Sequence, residues 1–122
     1  MNKILISNAF IVNEGKVCIK DVLIKGKRIE KIENHISEPN IKEIINAEGL
    51  YLFPGMIDDQ VHFREPGLTH KATINSESLA AIAGGVTSYI EMPNTIPQTT
   101  TVSEFDKKRL IASKNSAANY SF

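Results

Sequence analysis

Apolar and polar positions follow two different rhythms along the chain, and the change comes near Phe53. Before it, apolar and β-branched residues gather in short runs separated by glycine turns. Residues 3–13 (Lys-Ile-Leu-Ile-Ser-Asn-Ala-Phe-Ile-Val-Asn) predict a strand, and Asn13-Glu14-Gly15-Lys16 a turn. Val17 to Ile24 predict a second strand, Gly26-Lys27 a second tight turn, and the interleaving of Arg28, Glu30 and Lys31 with Ile29 and Ile32 a half-exposed third strand. A polar loop with His35 and Pro39 leads to two more short strands, near Glu43–Asn46 and Leu50–Phe53. Such a succession predicts a small sheet or half-sandwich.

After Phe53, strand-like and helix-like segments alternate. Met56–Phe63 predicts a strand. Thr73 to about Ala83 predicts a helix, with Ile74, Ser78, Ala81, Ile82 and Gly85 at helical spacing and Gly84-Gly85 as its end. Val86–Met92 predicts the next strand, closed by Pro93, and Val102 to Ala117 a second helix, with Ser103 and Asp106 suited to its first turn. A further strand begins around Asn119-Tyr120-Ser121-Phe122. This order calls for parallel strands joined by right-handed crossovers. Spacing alone fits either the opening of a barrel or part of an open doubly wound sheet.

Composition narrows the class without naming a function. The 122 residues are 42% hydrophobic and 23% charged with a formal net charge of zero, which gives no electrostatic reason to expect nucleic acid or acidic lipid as a partner. The single cysteine, Cys18, excludes an internal disulfide framework and fits a reducing cytosol. The apolar N-terminal residues are interrupted by Asn8 and Asn13, and neither a signal peptide nor a membrane span is expected. These features predict a soluble, cytoplasmic protein. Gly-rich phosphate loops, nucleophile elbows and zinc-ribbon spacings do not occur.

The candidate chemistry lies at the end of the Met56–Phe63 segment. Asp58, Gln60, His62 and Arg64 occupy every second position, and alternate residues of a strand share a face. Asn94 stands just past the end of the next strand. Active sites of barrels form where strands end, so His62, Arg64 and Asn94 are expected at one rim. Neutral imidazole is a preferred zinc ligand, whereas the amide oxygen of Gln60 is a weak one. Asp59 is expected to point the other way, toward a helix layer or solvent. His35 is expected in solvent, and His70 and Lys71, opening a helix, in structural roles.

The stretch Pro54-Gly55-Met56-Ile57-Asp58-Asp59-Gln60-Val61-His62-Phe63-Arg64-Glu65-Pro66-Gly67 resembles the first-strand motif of the cyclic amidohydrolases, whose usual form is Asp-x-His-x-His. Its continuation, His62-Phe63-Arg64-Glu65-Pro66-Gly67-Leu68-Thr69-His70-Lys71, is similar to the dihydroorotases of pyrimidine synthesis. The resemblance implies an α/β fold: residues 1–53 as the N-terminal part of a small β-sandwich, and 54–122 as the first two βα units of a metal-dependent-hydrolase (β/α)8 TIM barrel. Such barrels run to about 250 residues, so the chain is expected to be a truncated fragment, inactive alone.

The implied reaction is the reversible hydrolysis of (S)-dihydroorotate to N-carbamoyl-L-aspartate. One or two zinc ions would activate a water. His62 matches a metal-binding and substrate-contacting position, and Gln60 stands where the family has its first metal-binding histidine. Either the Gln60 amide oxygen touches a metal there or orients a ligand or water, or Gln60 is a hydrogen-bonding spacer and one metal position is lost or weakened. Arg64 and Asn94 match the residues that grip the substrate carboxylate. The resemblance assigns no catalytic residue to this chain; the bridging ligand, further histidines and catalytic aspartate would come from later strands. Partners would be the small anionic substrate and, in full-length form, a second copy or aspartate transcarbamoylase. Competing readings are another cyclic amidohydrolase, of allantoinase or dihydropyrimidinase type, and a non-catalytic dihydroorotase-like partner of aspartate transcarbamoylase.

Overall fold

The structure, a computed structural model, describes residues 2–122. The chain divides into two compact units, Met1–Pro54 and Gly55–Phe122.

The first unit is a mixed sheet of five strands: β1 (Lys3–Asn13), β2 (Lys16–Lys25), β3 (Arg28–Glu33), β4 (Ile41–Asn46) and β5 (Tyr51–Leu52). Their order is β3-β2-β1-β4, with β5 also pairing β1. The β1–β2 connection has two residues, Glu14 and Gly15, both at positive φ (49° and 72°). Two-residue loops of that hand match the natural twist of a hairpin. Leu5, Leu23 and Ile36 form the core, with Ile41 packed against them. Val17, Ile19, Ile29, Ile32 and Ile44 stay exposed. The strands foreseen near Glu43–Asn46 and Leu50–Phe53 are found as Ile41–Asn46 and Tyr51–Leu52.

Strand β1 is interrupted where the sequence reads as continuous. Its pairing with β2 runs from Ile6↔Val22 to Ala9↔Lys20, three steps on one strand against two on the other, so one extra residue bulges out. Asn8, inside the bulge, has φ 61°. Its N–H donates to Asp21 Oδ1 at 2.9 Å, and the other oxygen of this buried carboxylate accepts the Ile36 N–H at 2.9 Å. His35 is solvent-facing as expected, with Nδ1 3.6 Å from Asp21 Oδ2.

The second unit is the alternating part: β6 (Met56–Val61), α1 (Ile74–Ala83), β7 (Val86–Glu91), α2 (Val102–Asn115) and β8 (Asn119–Ser121). The three strands are parallel in the order β6-β7-β8. Phe63, Ile74, Tyr89 and Ala112 form the core between sheet and helices. The Phe63 and Tyr89 rings lie 4.5 Å apart, centroid to centroid. Buried polar groups there are answered locally: Ser78 Oγ accepts the Ala117 N–H at 3.1 Å, and the Tyr89 and Ser116 hydroxyls pair at 2.9 Å.

Helix α1 starts as foreseen. Thr73 is its N-cap, and its hydroxyl accepts the Ser76 N–H in a reciprocal capping box. Helix α2 departs in two details. It stops at Asn115, not Ala117, and although Ser103 falls in its first turn as foreseen, its cap is Thr101, whose hydroxyl accepts the Glu104 N–H at 3.3 Å, and Asp106 lies beyond that turn. A threonine in extended backbone can turn its oxygen onto the first free amides, which the residues inside the helix cannot do.

Candidate functional site

The site is assembled from two segments that leave adjacent parallel strands, residues 62–73 after β6 and 92–101 after β7. Each is folded by its own polar chemistry. In the first, the Glu65 carboxylate accepts the Ile74 N–H at 2.8 Å, and the Leu68 N–H donates to the Arg64 carbonyl. In the second, the Thr95 hydroxyl donates to the Pro97 carbonyl at 2.8 Å and pairs with Thr99 at 3.0 Å, which explains a buried threonine in a loop.

The segments then dock on each other. The Ile96 N–H donates to the Pro66 carbonyl at 3.1 Å. Beside that bond a Cβ added to Gly67 would stand 1.9 Å from the Ile96 carbonyl oxygen, and Gly67 has φ 85°. Only glycine suits both the conformation and the approach. The Pro-Gly pair of the motif therefore has a concrete task, closing one strand-end loop against the next.

This docking brings together two of the residues singled out by sequence. His62 Nδ1 lies 3.1 Å from Asn94 Oδ1, across 32 residues of chain. The amide oxygen only accepts, so Nδ1 is the donor and Nε2 is the ring nitrogen left for another partner. Asn94 in turn keeps its two Nδ2 hydrogens for another acceptor. Arg64 lies at the same rim, two residues beyond His62, and its guanidinium forms no ion pair among the described residues.

The expected common face of Asp58, Gln60, His62 and Arg64 is not found. Strand β6 ends at Val61, and its register with β7 runs from Asp58↔Tyr89 to Val61↔Glu91, again three steps against two. The bulge breaks the alternation between Asp58 and Val61. Its cause is local: Asp58 Oδ1 accepts the Gln60 N–H at 3.1 Å, bending the strand back on its own carboxylate. Asp59 and Gln60 are exposed. Arg64, at φ 72°, lies outside strand geometry altogether. His70 and Lys71 occupy an exposed turn before α1 instead of its opening residues.

As a metal site the donor set is incomplete. His62 offers one strong nitrogen and Gln60 one weak amide oxygen, and the described residues contain no cluster of three or more His, Cys, Asp or Glu able to hold an ion. These residues fit one edge of a zinc site and do not form one by themselves.

Two residues beneath the site have no counterpart in the motif. Glu91, the last residue of β7, and Lys108, on α2, form a fully buried ion pair. Glu91 Oε1 accepts the Arg64 N–H at 3.2 Å, and Lys108 Nζ donates to the Met92 carbonyl at 3.0 Å. Burial pushes the Lys108 ammonium from its usual range down to about 8. The sequence held one faint sign of the pair: both charges fall at positions where the strand and helix patterns demand burial.

Known proteins resemble the chain in sequence and in shape. The model of the family described as dihydro-orotase-like matches residues 49–117. A dihydroorotase of Carboxydothermus hydrogenoformans is 48% identical over 90 residues, covering 74% of this chain and 21% of the relative. A dihydroorotase of Streptococcus pyogenes is 52% identical over 79 residues, covering 65% of this chain and 18% of the relative. The chain thus spans about a fifth of the length of these curated relatives.

Among solved structures, L-hydantoinase (dihydropyrimidinase) from Arthrobacter aurescens superposes with a TM-score of 0.86 at 29% identity, covering 98% of this chain and 27% of that one. A dihydropyrimidinase from Brevibacillus agri gives 0.84 at 27% identity, covering 97% and 26%. The fold is that of the matching quarter of these hydrolase chains, a β-rich segment followed by parallel βα units. With its family's match running from the last strand of the first unit through α2, the chain belongs to the dihydroorotase-like family.

Proposed function

We propose that the protein to which this chain belongs is a dihydroorotase, hydrolysing the cyclic amide of (S)-dihydroorotate reversibly to N-carbamoyl-L-aspartate in the cytoplasmic synthesis of pyrimidines. The observation that carries this reading is the meeting of His62 and Asn94 at 3.1 Å at the strand end where Arg64 follows two residues on, its guanidinium without an ion-pair partner among the described residues. A guanidinium fork takes a carboxylate by two parallel hydrogen bonds, and the free Asn94 Nδ2 adds a third donor. A ring bearing one carboxylate suits that arrangement; a neutral ring leaves the arginine unused. His62, held by Asn94 with Nε2 free, is assigned as one ligand of a zinc centre, whose remaining donors belong to the larger share of the relatives' length that this chain does not span. Gln60 is assigned beside it as a weak ligand or a group orienting one.

A second reading, a hydantoinase or dihydropyrimidinase type of amidohydrolase, is favoured by the likeness to the Arthrobacter aurescens hydrolase. Arg64→Ala in the full-length protein separates the two. Each hydrogen bond to a charged group contributes about 1.5–3 kcal/mol, so kcat/KM for dihydroorotate should fall about 100-fold or more, with turnover of uncharged dihydrouracil unchanged. Equal turnover of dihydroorotate before and after the substitution sinks the dihydroorotase reading. A folded full-length protein that binds no zinc and turns over neither ring points instead to a non-catalytic partner.

A further inference from the structure

Burying a charged pair costs more in desolvation than it commonly returns, and apolar residues of the same volume often serve stability as well. Glu91 is 1% exposed and Lys108 is fully buried, so the pair calls for an explanation beyond cohesion. Its hydrogen bonds supply one. Neither charge is spent on the other alone: Glu91 Oε1 takes the Arg64 N–H, and Lys108 Nζ holds the Met92 carbonyl. Both are backbone groups near the start of a strand-end loop. Arg64 sits at φ 72°, a conformation an arginine adopts at a cost, and its amide is fixed by the Glu91 carboxylate. Met92 begins the Met92-Pro93-Asn94 turn that delivers Asn94 to His62.

We propose that Glu91 and Lys108 are positioning residues for carboxylate recognition, a buried bridge that sets the backbone of Arg64 from one side and of the Asn94 turn from the other so that both donors reach one anion. The proposal rests on the dihydroorotase reading for the identity of that anion. The Lys108 ammonium, carried by α2, lies 4.8 Å from the centre of the Phe122 ring, which follows β8. A cavity of about 180 Å³ lined by Glu91, Pro93, Thr99, Phe105, Lys108 and Phe122 surrounds it. An ammonium on a long stem reaches a carbonyl that no strand partner claims, and a carboxylate has two oxygens to divide between an amide and that ammonium. An apolar pair would fill the same space and leave both loops free to shift.

The test uses the full-length protein and the double substitution Glu91→Leu with Lys108→Met, which leaves no orphan charge. It should still fold, with a melting temperature lowered by several degrees because the Arg64 N–H and the Met92 carbonyl lose their partners, while KM for dihydroorotate rises about tenfold and kcat changes much less. Glu91→Gln with Lys108→Met retains an acceptor for the Arg64 N–H and should recover part of that loss. Dihydrouracil, without the carboxylate, should be turned over equally by wild type and both variants. Equal losses on both substrates would reduce the pair to a structural role and overturn the proposal. Failure of wild type to hydrolyse dihydroorotate would strike the underlying reading alone. In that event the Arg64 amide still decides: its hydrogen exchange should be slow in wild type and fast in the Leu/Met variant, and unchanged protection overturns the proposal.

Discussion

The same device appears once in each unit of this chain and serves two different ends. In the first unit the β1 bulge sets Asn8 at φ 61°, and the buried Asp21 accepts its N–H. In the second, Arg64 lies at φ 72° just past the β6 bulge, and the buried Glu91 accepts its N–H. The carboxylates differ in how the second oxygen is used. Asp21 gives it to another amide, that of Ile36, so the carboxylate closes a local knot of backbone. Glu91 gives it to an ammonium, that of Lys108, which in turn holds a second loop. The residues held differ as well. Asparagine tolerates left-handed backbone and arginine does not. A costly conformation is thus kept at a strand end beside His62, and a cheap one where a strand bends.

Removing Asp21 should give the largest effect on stability. Asp21→Ala leaves the Asn8 and Ile36 amides without an acceptor, a loss of about 2–4 kcal/mol, whereas Asp21→Asn retains one acceptor and costs about half as much. Urea unfolding of the full-length protein checks this, and an alanine variant within 0.5 kcal/mol of wild type, on that ~1 kcal/mol scale per bond, would mean the knot is not needed. A pair of glycine substitutions sharpens the contrast in backbone cost. Arg64→Gly should raise stability by about 0.5–1 kcal/mol, the left-handed penalty less the added freedom of the unfolded chain, while Asn8→Gly should change it by only a few tenths. Equal responses at the two positions would erase the distinction.

The smallest effect belongs to a surface cluster in the first unit. Glu38 bonds to Lys31 and, at 2.9 Å, to Lys3, and these hydrogen bonds hold its carboxyl down at about 2. A folded pKa below the usual 4.5 contributes stability that is present above about pH 4.5 and lost as pH falls toward 2. The stability gap between wild type and Glu38→Gln should therefore narrow over that window and shrink with added salt at neutral pH. A gap that widens on acidification would contradict the assignment.

Much of this architecture was legible one segment at a time. The strands of the first unit, the βαβα order of the second, the Thr73 helix start and the Gly84-Gly85 stop all follow from local pattern and turn chemistry. His62, Arg64 and Asn94 stood out because polar residues at strand ends are conspicuous against apolar runs, and the motif around them carried the family. The bulge that parts Asp58 from Val61 was not legible, since register depends on a neighbouring strand about thirty residues away and alternation assumes it regular. Thr101 was passed over because helix-like polarity continues through Ser103 and Asp106.

By itself, then, the sequence determined which residues form strands and helices and which carry recognisable chemistry, because propensity, period and turn formation act over a few residues. Only the tertiary structure decided that Gly67 must be glycine, that His62 meets Asn94, and that Glu91 and Lys108 stand beneath them. Those contacts join residues 16 to 32 positions apart, through close packing and desolvated charge, and the periodic pattern along the chain marks which positions are buried but not which partners they meet.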